Sequence, residues 1–201
     1  MNQLVFLPGA SGSQGFWQPL TTYLAPGQAY QILAYPGFDG IAPNSAIHNL
    51  HDLQAYLNQQ IEADSILIAQ SMGGVLALGL ALNHPEKVKG LVLLATSGGL
   101  NVQQFGCADW RTGYREQFKA VPDCFLEDQT EFSPEQLASL EVPILLIWGD
   151  QDSLSTVQLG QYLEQTFRSA TLHTLQGGDH FFAASQPAQV AALIDTYLER
   201  I

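Results

Sequence analysis

Positive charge is what this chain has least of. Its 201 residues include only 7 Lys and Arg against 19 Asp and Glu, a formal net charge of −12 at pH 7. A protein that grips nucleic acid needs a basic footprint to displace counterions, and one that docks on an anionic bilayer needs the same. Neither partner is expected. Cysteine is nearly absent: Cys107 and Cys124 are the two. Without a secretory signal they read as free thiols rather than a bridge. No Cys-x-x-Cys or His-Glu-x-x-His is present, so no metal is expected. No Lys-Ser/Thr follows Gly37, Gly40, Gly98 or Gly99, and no Gly-x-Gly-x-x-Gly opens a helix after a strand. A phosphate cradle therefore has no basis, and no cofactor is expected. The opening Met1 to Gly9 lacks the basic residues that lead a signal peptide, so the expected location is the cytoplasm. The uncharged stretch from Ile66 to Leu82 is interrupted by Gln70, Ser71, Gly73 and Gly74. It suits strand, turn and helix better than a membrane span.

What is present is apolar: 46% of residues are hydrophobic and only 13% charged. A chain of this length buries about 70% of its unfolded surface, enough for one sizeable core and too little for two ordinary domains. No internal repeat or low-complexity linker divides it, so residues 1–201 are expected to form a single domain. Continuous apolar runs fit six strands: Leu4–Leu7, Gln31–Tyr35, Ser65–Ala69, Gly90–Ala95, Pro143–Trp148 and Ala170–Leu175. Runs without alternation are what strands covered on both faces show. Between them lie helical patterns over Ser45–Ile61, Met72–Asn83, Leu154–Phe167 and Pro187–Arg200. The βαβ rhythm predicts a three-layer α/β/α fold on a mostly parallel sheet with right-handed crossovers. The stretch at about 98–141 breaks the rhythm. It holds Phe105, Trp110, Tyr114, Phe118, Phe125 and Phe132 without a strong strand. Insertions this long in compact proteins are usually functional, often lids.

Ala69-Gln70-Ser71-Met72-Gly73-Gly74 lies between an apolar strand and a helix. Small residues two before and two after a serine permit a sharp turn that raises the hydroxyl. The next amide, at the helix start, can face a developing oxyanion. A serine hydroxyl is a weak nucleophile until a histidine takes its proton and a carboxylate orients that histidine. Gly149-Asp150-Gln151-Asp152 and Gly177-Gly178-Asp179-His180 each follow a strand directly. The order Ser, Asp, His, with each member at a strand's C-terminal end, coincides with where open α/β sheets place their ligands.

With Leu7-Pro8-Gly9-Ala10, Trp17 and the run from His84 to Leu93, these motifs resemble the α/β-hydrolase superfamily from near the N-terminus to His180. The nearest flavour is the compact, lid-bearing carboxylesterases, such as the pimeloyl-carrier-protein methyl ester esterases. The resemblance implies a minimal six-stranded version of that fold, without the usual leading antiparallel strands. It also implies a serine esterase cleaving a carboxylic ester or thioester through an acyl-enzyme. Its Gly-x-x-Asp pattern selects Asp152 over Asp150, giving Ser71, Asp152 and His180 as catalytic residues. It places the oxyanion amides at Ala10 and Met72, with Pro8 standing where the family usually has His. Asp150 and Asp179 then read as turn residues, His173 as packed or at an edge, and His48, His51 and His84 as surface groups. The same triad would also serve a cofactor-free lyase or a perhydrolase, and some members of the fold only bind ligands.

Trp110, Tyr114 and Phe118 share one stripe of a helical pattern, and Arg111, Arg115 and Lys119 the adjacent one. The aromatics, with Phe181, are candidates for lining an acyl pocket. The cations are candidates for an anionic substrate or an acidic carrier protein, although nearby carboxylates could equally neutralise them. Oligomeric state is not readable from these patterns.

Overall fold

The computed structural model describes residues 3–117, 126 and 130–201. Six strands form one parallel sheet in the order β2-β1-β3-β4-β5-β6. They are β1 (Gln3–Leu7), β2 (Tyr30–Ile32), β3 (Ser65–Gln70), β4 (Val88–Leu94), β5 (Ile144–Gly149) and β6 (Ala170–Leu175). Every pairing is parallel, so the expected mostly parallel sheet is parallel throughout. The helices are α1 (Gln18–Thr21), α2 (Leu50–Asn58), α3 (Met72–Asn83), α4 (Arg111–Gln117), α5 (Pro134–Ala138), α6 (Val157–Thr166), α7 (Phe182–Ser185) and α8 (Pro187–Leu198). Among the described residues between 98 and 141 there is no strand.

Strand alternation divides the core in two. Val5, Leu7, Leu67, Leu91 and Leu146 pack with the buried faces of α2, α3 and α6. Leu4, Phe6, Ile66, Ile68 and Val92 pack with Trp17, Leu20 of α1 and Val190 and Ile194 of α8. Each fully buried aliphatic contributes roughly 1.5–3 kcal/mol relative to an exposed one. Neither face of the central strands could be left wet, which explains their unbroken apolar runs. The edges differ. β6 alternates exposure and is half-open, and β2 is only three residues long. The expectation of cover on both faces therefore fails at the two edges, where a strand has a neighbour on one side only.

Local hydrogen bonding sets the element ends more tightly than periodicity does. The helix expected over 45–61 starts at Leu50 because the Asn49 side chain accepts from Asp52 N at 2.8 Å, a side-chain N-cap. The one expected from Leu154 starts at Val157 because the Leu154 and Ser155 amides go to a carboxylate instead. The strand order turns back between β1 and β3: β1 runs outward to β2, and β3 onward to β4. That switch point opens a crevice at the strands' C-terminal ends, the usual ligand position in such sheets.

Candidate active site

Leu7 pairs with Ala69 in the β1–β3 register, so the chain leaving β1 at Pro8-Gly9-Ala10 lies beside the chain leaving β3 at Ser71. Ser71 has φ 53° and ψ −120° and joins β3 directly to α3. This left-handed region is costly for a residue with a Cβ and is kept where surrounding contacts over-determine it. Those contacts are backbone bonds: Ser71 N donates to Leu94 O at 2.9 Å, and Ser71 O accepts from Gly74 N at 2.9 Å. Thr96 Oγ1 also donates to Ser71 O, at 2.7 Å. A Cβ on Gly73 would lie 2.5 Å from Leu7 O and 2.6 Å from Pro8 O. Only glycine lets α3 sit this close to the end of β1. Gly73→Ala should therefore destabilise the protein by about 2–3 kcal/mol, read as a fall in melting temperature of roughly 5–10 °C.

Asp152 and His180 meet. His180 Nδ1 lies 2.8 Å from Asp152 Oδ2. The Asp152 side chain is wholly buried, with the imidazole 12% exposed. A buried carboxylate must be fully hydrogen-bonded, and Asp152 Oδ1 accepts from Leu154 N at 2.8 Å and Ser155 N at 2.9 Å. Because an ionised carboxylate only accepts, Nδ1 carries the proton, which leaves Nε2 as the free basic nitrogen. The loops bearing the two residues are tied together. Gln151 N donates to Gly178 O at 2.9 Å, and Asp150 Oδ1 accepts from Gly177 N at 2.7 Å. Asp179 Oδ1 accepts from Phe181 N, so Asp150 and Asp179 are turn residues, and His173 lies exposed on edge strand β6.

Ser71, Met72, Ala10 and His180 line one cavity of about 680 Å³. Among the hydrogen bonds of the described residues none joins Ser71 to His180; such bonds are often long until substrate is bound. As the first residue of α3, Met72 has an amide without an intrahelical acceptor. Among the described residues the Ala10 amide has no partner either. Trp110, Arg111, Tyr114 and Phe181 also line the cavity. Phe181 is 54% exposed at its edge and packs perpendicular to the His180 ring. Arg115 is exposed and is not among the lining residues. Phe118 and Lys119 lie outside the described residues, as does Cys124; Cys107 is a free thiol.

Four residues that sequence patterns did not single out hold this arrangement. Tyr35 donates to Pro8 O at 2.7 Å, so a buried hydroxyl steadies the loop in which Pro8 stands where the family usually has His. Gln70 Nε2 donates to His180 O at 3.2 Å. Thr96 and Ser155 complete a chain from serine to acid. Thr96 bonds Ser71 O, Ser155 Oγ donates to Thr96 O at 3.2 Å, and Ser155 N reaches Asp152. Trp148 Nε1 donates to the same Ser155 hydroxyl at 3.0 Å. Gln70, Thr96 and Ser155 stand in or within three residues of a motif, whereas Tyr35 ends an expected strand and carried no such signal.

Arg111 does not present a bare charge to the cavity. Its Nε donates to Leu126 O at 3.1 Å, its guanidinium lies 5.3 Å from the Trp110 ring centre, and Asp109 Oδ1 is 3.9 Å from Nη1. Asp109 and Glu131 share the wall with it. Among the described residues no group of three or more His, Cys, Asp or Glu could hold a metal ion, and no helix is long and apolar enough to cross a membrane.

Known proteins resemble this chain in sequence and in fold. The uncharacterized hydrolase YugF of Bacillus subtilis (strain 168) is 23% identical over 178 residues, 67% of this chain and 65% of that protein. The chain thus spans just under two thirds of that relative. A pimeloyl-(acyl-carrier protein) methyl ester esterase of Yersinia pseudotuberculosis serotype O:1b (strain IP 31758) is 23% identical over 244 aligned positions, 98% of this chain and 93% of that protein. The crystal structure of a serine hydrolase involved in carbazole degradation, the CarC enzyme, superposes with a TM-score of 0.83 at 18% identity, covering 100% of this chain and 92% of that one. A family model described as the alpha/beta hydrolase family matches residues 4–123, more than half of the sequence, and the chain belongs to that family.

Proposed function

We propose that this protein is a serine hydrolase that cleaves a carboxylic ester through an acyl-enzyme. The observation that carries the reading is the 2.8 Å contact between His180 Nδ1 and buried Asp152, on the wall of the cavity that also holds Ser71 on its strained turn. Ser71 Oγ attacks the ester carbonyl while its proton passes to His180 Nε2. The oxyanion is held by the amides of Ala10 and Met72, each donor of this kind worth about 3 kcal/mol in the transition state. Collapse breaks the bond to the alcohol, which leaves with the proton from His180. Water, giving its proton to His180, then attacks the acyl-enzyme, and the proton returns to Ser71 as the acid departs. Asp152 keeps the imidazole in the required tautomer and stabilises its charged form throughout.

Trp110 and Tyr114, from the described part of the segment at 98–141, line the cavity, and we assign that side to the acyl chain. Among the described lining residues Arg111 is paired with Asp109 and shares the wall with Glu131, so they offer no surplus positive charge to an acyl chain ending in a free carboxylate. On this reading the substrate is an ester whose acyl chain is uncharged. A carrier-linked methyl ester, as in the name of the Yersinia relative, meets that condition.

A fluorophosphonate probe should label the wild type once, on the peptide carrying Ser71. A panel of soluble esters should be hydrolysed with a preference for uncharged acyl chains over equal-length chains ending in a carboxylate. Labelling without hydrolysis of any ester would instead support lyase or perhydrolase chemistry on the same residues. A folded protein that takes no probe would support a ligand-binding role.

A further inference from the structure

Two tyrosine hydroxyls grip the loop after β1. Tyr35, fully buried in the core, donates to the Pro8 carbonyl. Tyr114, on α4 and more than a hundred residues away in sequence, donates to the Ala10 carbonyl. The first carbonyl belongs to the Pro8–Gly9 peptide and the second to the Ala10–Ser11 peptide. The peptide between them is Gly9–Ala10, which carries the Ala10 amide. Glycine at position 9 allows that peptide to rotate more freely than any other residue would. Among the described residues, its two gripped neighbours and the turn closed by Gly12 N donating to Gly9 O at 2.9 Å hold it in one orientation, with the Gln70 side chain packed against Gly9.

The two grips differ in kind. Tyr35 comes from the folded core. Tyr114 comes from the segment joining β4 to β5, lines the cavity, and packs its ring edge-on to Trp110 at 5.3 Å and 81°. Burial also pushes its hydroxyl above the ordinary tyrosine range, so it remains a donor at any working pH.

We infer, building on the hydrolase reading above, that Tyr114 is a positioning residue: seating α4 on the loop fixes the peptide that carries the Ala10 amide. The acyl pocket and the oxyanion site are thereby coupled. A substrate that packs well against Trp110 and Tyr114 also secures the donor that its carbonyl will need.

Tyr114→Phe tests this, because it keeps the ring against Trp110 and removes only the hydroxyl. Its kcat for a short soluble ester should fall about tenfold, the equivalent of one hydrogen bond at the reacting centre, with KM unchanged. Inhibition by a trifluoromethyl ketone, whose adduct carries the oxyanion, should weaken by the same factor. Amide exchange at Gly12 should quicken. A variant whose kcat and ketone inhibition stay within twofold of wild type, or whose Gly12 exchange is unaltered, overturns the inference. Exchange is read without turnover. A wild type that proves inactive on every ester and unreactive to the probe would thus sink the hydrolase reading, while the Gly12 measurement still decides whether Tyr114 holds the loop.

Discussion

Ser71→Ala should lower kcat by roughly 10⁵–10⁶-fold and abolish fluorophosphonate labelling while leaving the melting temperature nearly unchanged. The turn is held without the hydroxyl. Its bonds run from Ser71 N to Leu94, and from Gly74 N and Thr96 Oγ1 to Ser71 O, and the side chain makes no capping bond to α3. Alanine meets the same backbone strain at φ 53° as serine does, so the substitution removes chemistry and little else. What survives would come from the oxyanion amides and from substrate positioning. A variant retaining more than a tenth of wild-type kcat would show that Ser71 is not the attacking group. Parallel melting curves separate that result from partial unfolding.

Asp152→Asn should cost about 10⁴-fold in kcat, for a reason written in the hydrogen bonds around it. Leu154 N and Ser155 N both donate to Oδ1. An asparagine can satisfy them only by turning its carbonyl oxygen to the same place. Its NH₂ then points at His180 Nδ1, which must accept, and the ring proton moves to Nε2. The nitrogen needed as base is then already protonated. The fold should persist, because both backbone donors keep their acceptor; Asp152→Ala would instead leave the buried Ser155 amide unpaired, at about 1–3 kcal/mol, and the part-buried Leu154 amide with it. The ¹⁵N shifts of labelled His180 report the tautomer directly. If they show Nδ1 still protonated in Asp152→Asn while activity falls, Asp152 acts by some route other than tautomer control.

The sheet and the turn at Ser71 were legible because each rests on a local pattern. Unbroken apolar runs mark the central strands, closed in on both faces, and the small residues at 69, 71, 73 and 74 permit a tight strand-to-helix reversal. The helix over Met72–Asn83 has the expected ends, since the turn fixes one end and His84-Pro85 follows the other. Choosing Asp152 over Asp150 needed a family pattern, because the two stand in the same Gly-Asp-Gln-Asp run. The structure separates them: Asp152 reaches His180, whereas Asp150 closes the turn at Gly177. The work of Tyr35, Thr96 and Ser155 was not legible. A hydroxyl's partner is set by which strand ends become neighbours, not by the residues beside it in sequence. The basic stripe of α4 also reads differently in three dimensions, since Arg111 turns to Leu126 O, Trp110 and Asp109, while Arg115 is not among the residues lining the cavity.

The segment between β4 and β5 enters the chain after Leu94 and leaves it before Ile144, whereas Ser71, Asp152 and His180 all hang from other connections. On the proposed function, hydrolytic chemistry and acyl preference occupy separable lengths of polypeptide. Evolution, or a chimera-builder, could then exchange the segment to change the diet without rebuilding the machinery. Tyr114 marks the seam where that freedom ends: a transplanted cover that brings no hydroxyl to Ala10 would inherit the appetite of its donor but only part of the speed of its host.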